Sequence, residues 1–423
     1  MPPPPAGEEV EPVESVDPNL TVMGGSDEKK ASDYANYFCS YASLYHQKQM
    51  LTDHRRMQAY YSAITDNAEM FAGKRVLDVG TGSGILALWA AMAGASKVYA
   101  VEFTDMANHA RRLVAKNGMA DVVEVIQSSV EDLKLDAKVD IIVSEWMGYF
   151  LLRESMLDSL VRARDRWLVP GGLMFPSRCT MLWGLVSDEQ DRLSKQQEYI
   201  RTMQDWYSFK GEIKEFYGVD MTVLEAVYEE EQRGYYILSS FWAELDKDQV
   251  LGEPAVVKTF DMHTCTLEDV QGVPETNVSI TLEEDARVSG FAGWFTADFH
   301  GTEANPCPCP VTLSTGPENG YTHWGQQVFH LQVPHDVVGG GRVEGTIALK
   351  RQKENVRLVR SRACTTRHSL CVSKKVDGRE RRSFSCGVRV MASKTVFILS
   401  LLGNQSGGGF DNGSKMKKGP NKR

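Results

Sequence analysis

The chain has little uninterrupted apolar sequence. Its longest such run, from Ile85 to Ala95, is far short of the roughly 18 residues a bilayer span needs, so no membrane segment is expected. The opening Met1 to Pro5 lacks the basic and apolar regions of a secretory signal, and a cytoplasmic or nuclear location is the expectation. The eight cysteines never fall in a CxxC pair, which argues against a disulfide framework and for free thiols in a reducing compartment. The tightest pair, Cys307 and Cys309, is interleaved with Pro306, Pro308 and Pro310; it reads as a rigid loop, and no metal is expected. Residues 1 to 32 are nearly without aromatics and rich in Pro, Glu, Asp and Ser, so they cannot bury enough surface to order themselves and read as an acidic arm. No internal repeat is evident, which excludes a solenoid.

What is present suits a protein of two or three domains, with 42% hydrophobic and 24% charged residues. The formal charge of -9 is unevenly spread. Residues 351 to 423 carry 18 Lys and Arg against 4 Asp and Glu, which leaves 29 against 52 in the rest, or -23. So acidic a body suits a cationic protein substrate, while the basic end could meet nucleic acid, acidic proteins or the body itself.

From Asp33 the texture becomes aromatic and amphipathic, and then strands alternate with helices. Val76–Val79, Lys97–Val101, Val122–Ile126 and Val139–Val143 read as strands; Ile85–Met92, Met106–Lys116 and Ser155–Leu168 read as helices, the last closed by Pro170-Gly171-Gly172. This rhythm predicts a doubly wound parallel sheet with ligands at the carboxyl ends of its strands. After Pro176 come segments without parallel-type crossovers: Leu182–Val186, Tyr236–Trp242, Val256–Phe260, Val278–Leu282, Gly290–Phe299 and Val328–Val333. They predict an antiparallel barrel or sandwich, interrupted at residues 188 to 218 by a charged helical stretch whose many aromatics favour a partner surface.

Two segments carry chemistry. In the run from Val76 to Ile85, Gly80, Gly82 and Gly84 let the backbone approach a ligand in front of a helix N-terminus. A dinucleotide fingerprint needs G-x-G-x-x-G, and position 85 is Ile85. The G-x-G-x-G spacing, with Asp78 two residues ahead, better suits an adenosyl amino acid. Glu102 ends the second strand where a carboxylate would meet ribose hydroxyls, and Glu131, after the third, could approach an adenine. After the fourth strand, Glu145 and Glu154 bracket an apolar loop whose Gly148 permits a hairpin. Two acids in greasy surroundings ask for a cation, and a planar guanidinium can engage both while leaving one nitrogen edge open.

Here the residues resemble the protein arginine methyltransferases of type I, nearest their plant members with a long arm. The resemblance runs from about Asp33 to about Leu358, and it rests on Val76–Ile85, the loop Ser144–Glu154, the Tyr37-Phe38-x-x-Tyr41 motif and Thr322-His323-Trp324. It implies an α/β fold in which a Rossmann-like class I methyltransferase domain (residues 33–176) precedes an antiparallel β-barrel domain (177–402). A helical dimerisation arm would be inserted at about 188–218, and a basic tail would follow over 403–423. The implied cofactor is S-adenosyl-L-methionine, held by Tyr37, Phe38, Tyr41, His46, Met50, Arg56, Asp78, Gly80, Gly82, Gly84, Glu102 and Glu131, with Arg56 on its carboxylate. Glu145 and Glu154 would clamp the substrate arginine, with Met147, Tyr149, Met156 and Trp324 around it. His323 would meet Asp53 as a proton path, against the plainer reading of a structural histidine. Met50 and Met156 resemble the methionines of enzymes forming monomethyl and asymmetric dimethyl arginine. The implied partners are arginine-bearing proteins, histones and Arg/Gly-rich proteins among them, and a second copy of the chain.

A nicotinamide oxidoreductase would lack its glycine spacing and leave the two glutamates unexplained. A small-molecule methyltransferase would need neither barrel nor arm, and a silent scaffold would not need the glutamate pair. Past Leu358 the chain leaves the family pattern. There Lys394–Leu402 reads either as a closing strand or as the product of a misassigned gene model.

Overall fold

The computed structural model describes residues 41 to 351 and, beyond them, the backbone of strands at 359–365, 373–376, 379–382 and 396–398. The arm expected over 1–32, the residues Tyr37 and Phe38, and the tail expected over 403–423 lie outside the described residues.

Three helices lead in: α1 (Leu44–Leu51), α2 (His54–Thr65) and the short α3 (Ala68–Phe71). Five parallel strands follow, β1 (Arg75–Val79), β2 (Lys97–Glu102), β3 (Val123–Gln127), β4 (Val139–Val143) and β5 (Leu168–Phe175), with crossover helices α4 (Ile85–Met92), α5 (Met106–Lys116) and α6 (Leu157–Trp167). The strands lie in the order β3-β2-β1-β4-β5. Val76, Leu77 and Val79 of β1 and Ile141, Ile142 and Val143 of β4 are buried, as continuous apolar runs in a sheet covered on both faces must be. The strand order reverses between β1 and β4, so a crevice opens beyond Val79 and Val143, where both chemical segments begin. The Pro170-Gly171-Gly172 run, expected to close a helix, instead lies in β5, where the register slips between Val139↔Leu168 and Ile141↔Leu173. A side chain on Gly172 would stand 2.8 Å from the Asp140 carbonyl, which explains the glycine in that bulge.

The second domain is antiparallel. One sheet joins β7 (Phe241–Ala243), β12 (Gln326–Val337), β10 (Ala286–Gly301), β6 (Arg178–Val186) and β8 (Val250–Asp261), with β11 (Pro306–Ser314) on β10. A second joins β9 (Gly272–Thr281), β13 (Arg342–Arg351), β14 (Val359–Thr365) and the strand Val396–Ile398, which lies within the segment Lys394–Leu402. One apolar core runs through both domains: Phe71 meets Phe175, and Phe299 of β10 meets both Phe175 and Tyr60 of α2.

Three sequence expectations need correction. The prolines around Cys307 and Cys309 form strand β11, not a loop; among the described residues it pairs only with β10, and at such an edge the missing proline N–H groups go unmissed. The helical arm does not end at Gly218. Gly218 (φ 71°) closes α7 (Glu189–Tyr217), and a second helix, α8 (Glu225–Tyr236), folds back so that Tyr228 stacks on Trp206 at 4.3 Å. Tyr236 therefore ends a helix, and only Phe241–Ala243 of the expected Tyr236–Trp242 strand is extended.

Candidate active site

Four pieces of chain converge over the crevice. The first is the start of α2, where Asp53 is the helix cap: its Oδ1 accepts from the Arg56 N–H at 3.0 Å. Its Oδ2 accepts from the His323 backbone N–H at 2.8 Å and lies 2.7 Å from His323 Nδ1. Burial alone would raise this carboxyl, but hydrogen bonds from the His323 ring and from the Arg56 and His323 N–H groups hold it below its ordinary range. One turn on, Arg56 reaches Glu145, with Nε 3.0 Å and Nη2 2.9 Å from Oε2 and both side chains 9% exposed. So dry a pair needs this geometry to offset desolvation. The Met50 carbonyl lies 3.5 Å from Arg56 Nη1.

The second piece is the turn after β1. A side-chain carbon on Gly80 would fall 2.3 Å from Met156 Cε, and one on Gly82 would fall 2.8 Å from Gln47 Oε1, so only glycine lets these two side chains pack so closely on the turn. Gly84 (φ 93°) caps α4. Glu102 braces the turn: Oε2 accepts from the Gly82 N–H at 3.0 Å, and Oε1 accepts from Thr104 N–H and Oγ1 at 2.8 and 2.7 Å. Asp78 is fully buried. One oxygen accepts from Thr81 Oγ1 at 2.5 Å, the other has no partner among the described residues, and burial pushes the carboxyl up to about 7.

The glutamate loop is the third piece. The Gly148 N–H donates to Leu151 O at 3.0 Å, and a side chain on Gly148 would strike Arg153 O at 2.0 Å. The chain thus closes on itself between 148 and 153, with Glu145 and Glu154 flanking the closure. Phe150 (φ 47°), Leu151 (68°), Glu154 (78°) and Ser155 (58°) all sit in the left-handed region, strain that the buried Trp146, Met147, Phe150, Leu151 and Leu152 overdetermine. Glu154 Oε2 accepts from Tyr41 Oη at 2.7 Å, and the Arg153 guanidinium lies 5.3 Å over the Tyr149 ring. The fourth piece, Thr322-His323-Trp324, forms the wall: Trp324 Nε1 donates to Met147 O at 2.8 Å, and the His323 ring lies 3.9 Å from that of Trp324.

Two expected residues stand differently. Glu131 is exposed, its carboxylate accepting from Ser159 at 3.0 Å and its carbonyl from Arg166. His46 packs edge-on against Tyr41 at 4.9 Å, its imidazole kept below its ordinary range by burial and by His323, while the next residue, Gln47, is the one buried over Gly82. A helix turns about 100° per residue, so neighbouring positions face different surroundings, and the motif gives no sign of which faces inward. Tyr60, whose Oη donates to Ser144 O at 2.9 Å behind the glutamate loop, also carries no sequence signal.

The orphan Asp78 oxygen, a turn whose glycines add no side chains of their own and a braced Glu102 with one lone pair unused fit an adenosyl amino acid. Among the described residues no group of three His, Cys, Asp or Glu could hold a metal ion, and no helix is long and apolar enough to cross a membrane. Sheet order and glycine turn together define the Rossmann-like methyltransferase class. Residues 65–210 match the family model of the ribosomal protein L11 methyltransferase, and residues 193–362 that of the arginine methyltransferase oligomerization subdomain. The Arabidopsis thaliana protein arginine N-methyltransferase PRMT10 is 47% identical over 371 residues, 87% of this chain and 93% of the relative. Its Oryza sativa subsp. japonica namesake is 50% identical over 332 residues, 78% and 87% of the two chains. The solved structure of Arabidopsis thaliana protein arginine methyltransferase 10, described as uniquely open, matches with a TM-score of 0.76 at 44% identity, over 82% of this chain and 98% of that one. A Trypanosoma brucei PRMT1 enzyme-prozyme complex with AdoHcy matches with a TM-score of 0.63 at 29% identity, over 81% and 98%. The chain belongs to the protein arginine N-methyltransferase family.

Proposed function

We propose that this enzyme moves the methyl group of S-adenosyl-L-methionine to a guanidino nitrogen of protein arginine, giving monomethyl and then asymmetric dimethyl arginine. The single observation behind it is the loop closed between Gly148 and Arg153, which holds Glu145 and Glu154 at the mouth of the crevice beside the glycine turn. The bound sulfonium would supply an activated methyl group with a neutral thioether as leaving group. Gly80, Gly82, Asp78 and Glu102 would hold it.

The nucleophile is the difficulty. A guanidinium has a pKa of about 12.5 to 13.8, so stripping its proton beforehand at neutral pH would cost roughly 7.5 to 9 kcal/mol. Glu145, steadied by Arg56, and Glu154, steadied by Tyr41, instead draw positive charge to one side of the guanidinium and leave the opposite nitrogen richer in electrons. Held in line with the methyl group that the cofactor would supply, this nitrogen would form its new bond as the carbon–sulfur bond breaks. The alkylated nitrogen is then more acidic and releases its proton to the Asp53–His323 pair, to a glutamate or to water.

Met156 over Gly80 and Met50 beside Arg56 support the type I product assignment. Basic substrates such as histones and Arg/Gly-rich proteins suit the acidic body, and a cytoplasmic or nuclear setting follows from such substrates. The basic C-terminal region offers a nucleic-acid contact. We further assign the arm to homodimer formation, because Phe216, Tyr217 and Val223 at its tip are 69 to 81% exposed. Replacing the three by serine is expected to turn a dimer into a monomer in light scattering; an unchanged mass refutes the assignment.

The deciding experiment incubates the protein with labelled cofactor and histones and types the methylarginine by mass spectrometry. Glu145→Gln and Glu154→Gln are each expected to lower turnover about 100-fold or more while cofactor binding persists. Near-parental turnover in both would end the clamp, and symmetric dimethyl arginine would end the type I assignment.

A further inference from the structure

Remote from the crevice, the roots of α7 and α8 and strand β12 border an open cleft of about 310 Å³, within the range of roughly 300 to 1,000 Å³ typical of small-molecule sites. Arg192, Lys195 and Tyr199 reach it from one face of α7, spaced by three and four residues; Arg233 and Tyr236 reach it from α8, and His330 from β12. The lining is cationic, with Glu229 its one acid.

These cations are unequally satisfied. Arg192 is closed off by Glu189 at 2.5 Å. Among the described residues Lys195 has only Glu198 at 3.7 Å and the ring of Phe241 at 4.8 Å. Arg233 makes no ion pair among the described residues. His330 is 8% exposed; its Nε2 lies 2.9 Å from Asp191, while its buried Nδ1 has no hydrogen-bond partner among the described residues.

We propose that this cleft binds a small organic anion, a phosphate or carboxylate on an aromatic or apolar body. Lys195 and Arg233 take the anionic head, Arg233 through its two-pronged fork, and Tyr199 and Tyr236 flank the body. Because the ligand touches both arm helices and the domain that carries them, its occupancy fixes the angle of the arm.

The test titrates phenyl phosphate and benzoate into the full-length protein by calorimetry and follows deuterium exchange over residues 189–200 and 225–237. At least one probe is expected to bind saturably, to slow exchange at both helix roots, and to lose affinity at least tenfold in the Lys195→Ala/Arg233→Ala double variant. That variant should keep the parental circular dichroism and basal methyl transfer, since neither residue touches the crevice. Preference for phenyl phosphate assigns a phosphorylated ligand, and preference for benzoate a carboxylate. Absence of saturable binding at millimolar probe, or equal binding by the double variant, overturns the proposal.

Discussion

Asp78 and Asp53 are both buried acids, yet they are pushed in opposite directions. Asp53 has three hydrogen-bond donors and stays below the ordinary carboxylate range; Asp78 has one oxygen without a partner among the described residues, and its carboxyl lies at about 7. Between the unfolded value near 4 and about 7 the folded chain keeps a proton on Asp78 that the unfolded chain has released. Folding stability from this group therefore falls as pH rises through that window, by at most ~1.4 kcal/mol per unit, and is level above it. Asp78→Asn removes the titration while leaving an oxygen for Thr81. Its melting temperature relative to the parent should climb from pH 5 to pH 7.5 in thermal scans without cofactor; a difference that is flat with pH would contradict the assignment. For Asp53 the sign reverses: its contribution is present above the unfolded value and is lost as pH falls through the depressed one.

At the scale of elements, the glutamate loop stores strain that its glycine permits. Gly148→Ala places a carbon 2.0 Å from a backbone oxygen that cannot rotate away, so a loss of about 1 to 3 kcal/mol is expected in urea unfolding, together with loss of methyl transfer. Gly211→Ala on α7 meets nothing within 4 Å and should instead be neutral or stabilising, by up to ~1 kcal/mol. Equal behaviour of the two would show that the Gly148 contact is not felt.

The same elements show what a sequence can and cannot disclose. The first strands and helices were legible because continuous apolar runs and the amphipathic period of α5 leave few alternatives, and Gly80, Gly82 and Gly84 announced their turn. Strand β11 was not, because prolines suppress strands everywhere except at an edge, and whether a segment lies at an edge is settled by its neighbours. The return helix α8 was hidden by Tyr235, Tyr236 and Ile237, which are strand-prone in isolation but here form the end and cap of a helix stacked on Trp206. Gln47 and Tyr60 matter through their burial against distant partners, and no local pattern marks that.

Across the whole molecule, the two domains share more than an apolar core. Helix α2 is tied to the second domain at both ends: Asp53 takes two hydrogen bonds from His323, and Asn67 exchanges two with the backbone of Cys309, each at 2.8 Å. Arg56, which steadies Glu145, lies on that same helix. The helix therefore rides as a rigid strut, and any sliding of one half of the molecule over the other is delivered to the guanidinium of Arg56 within the length of a few turns. Substitutions at the seam between the halves, far from any reacting atom, would register as altered turnover before they registered as lost solubility.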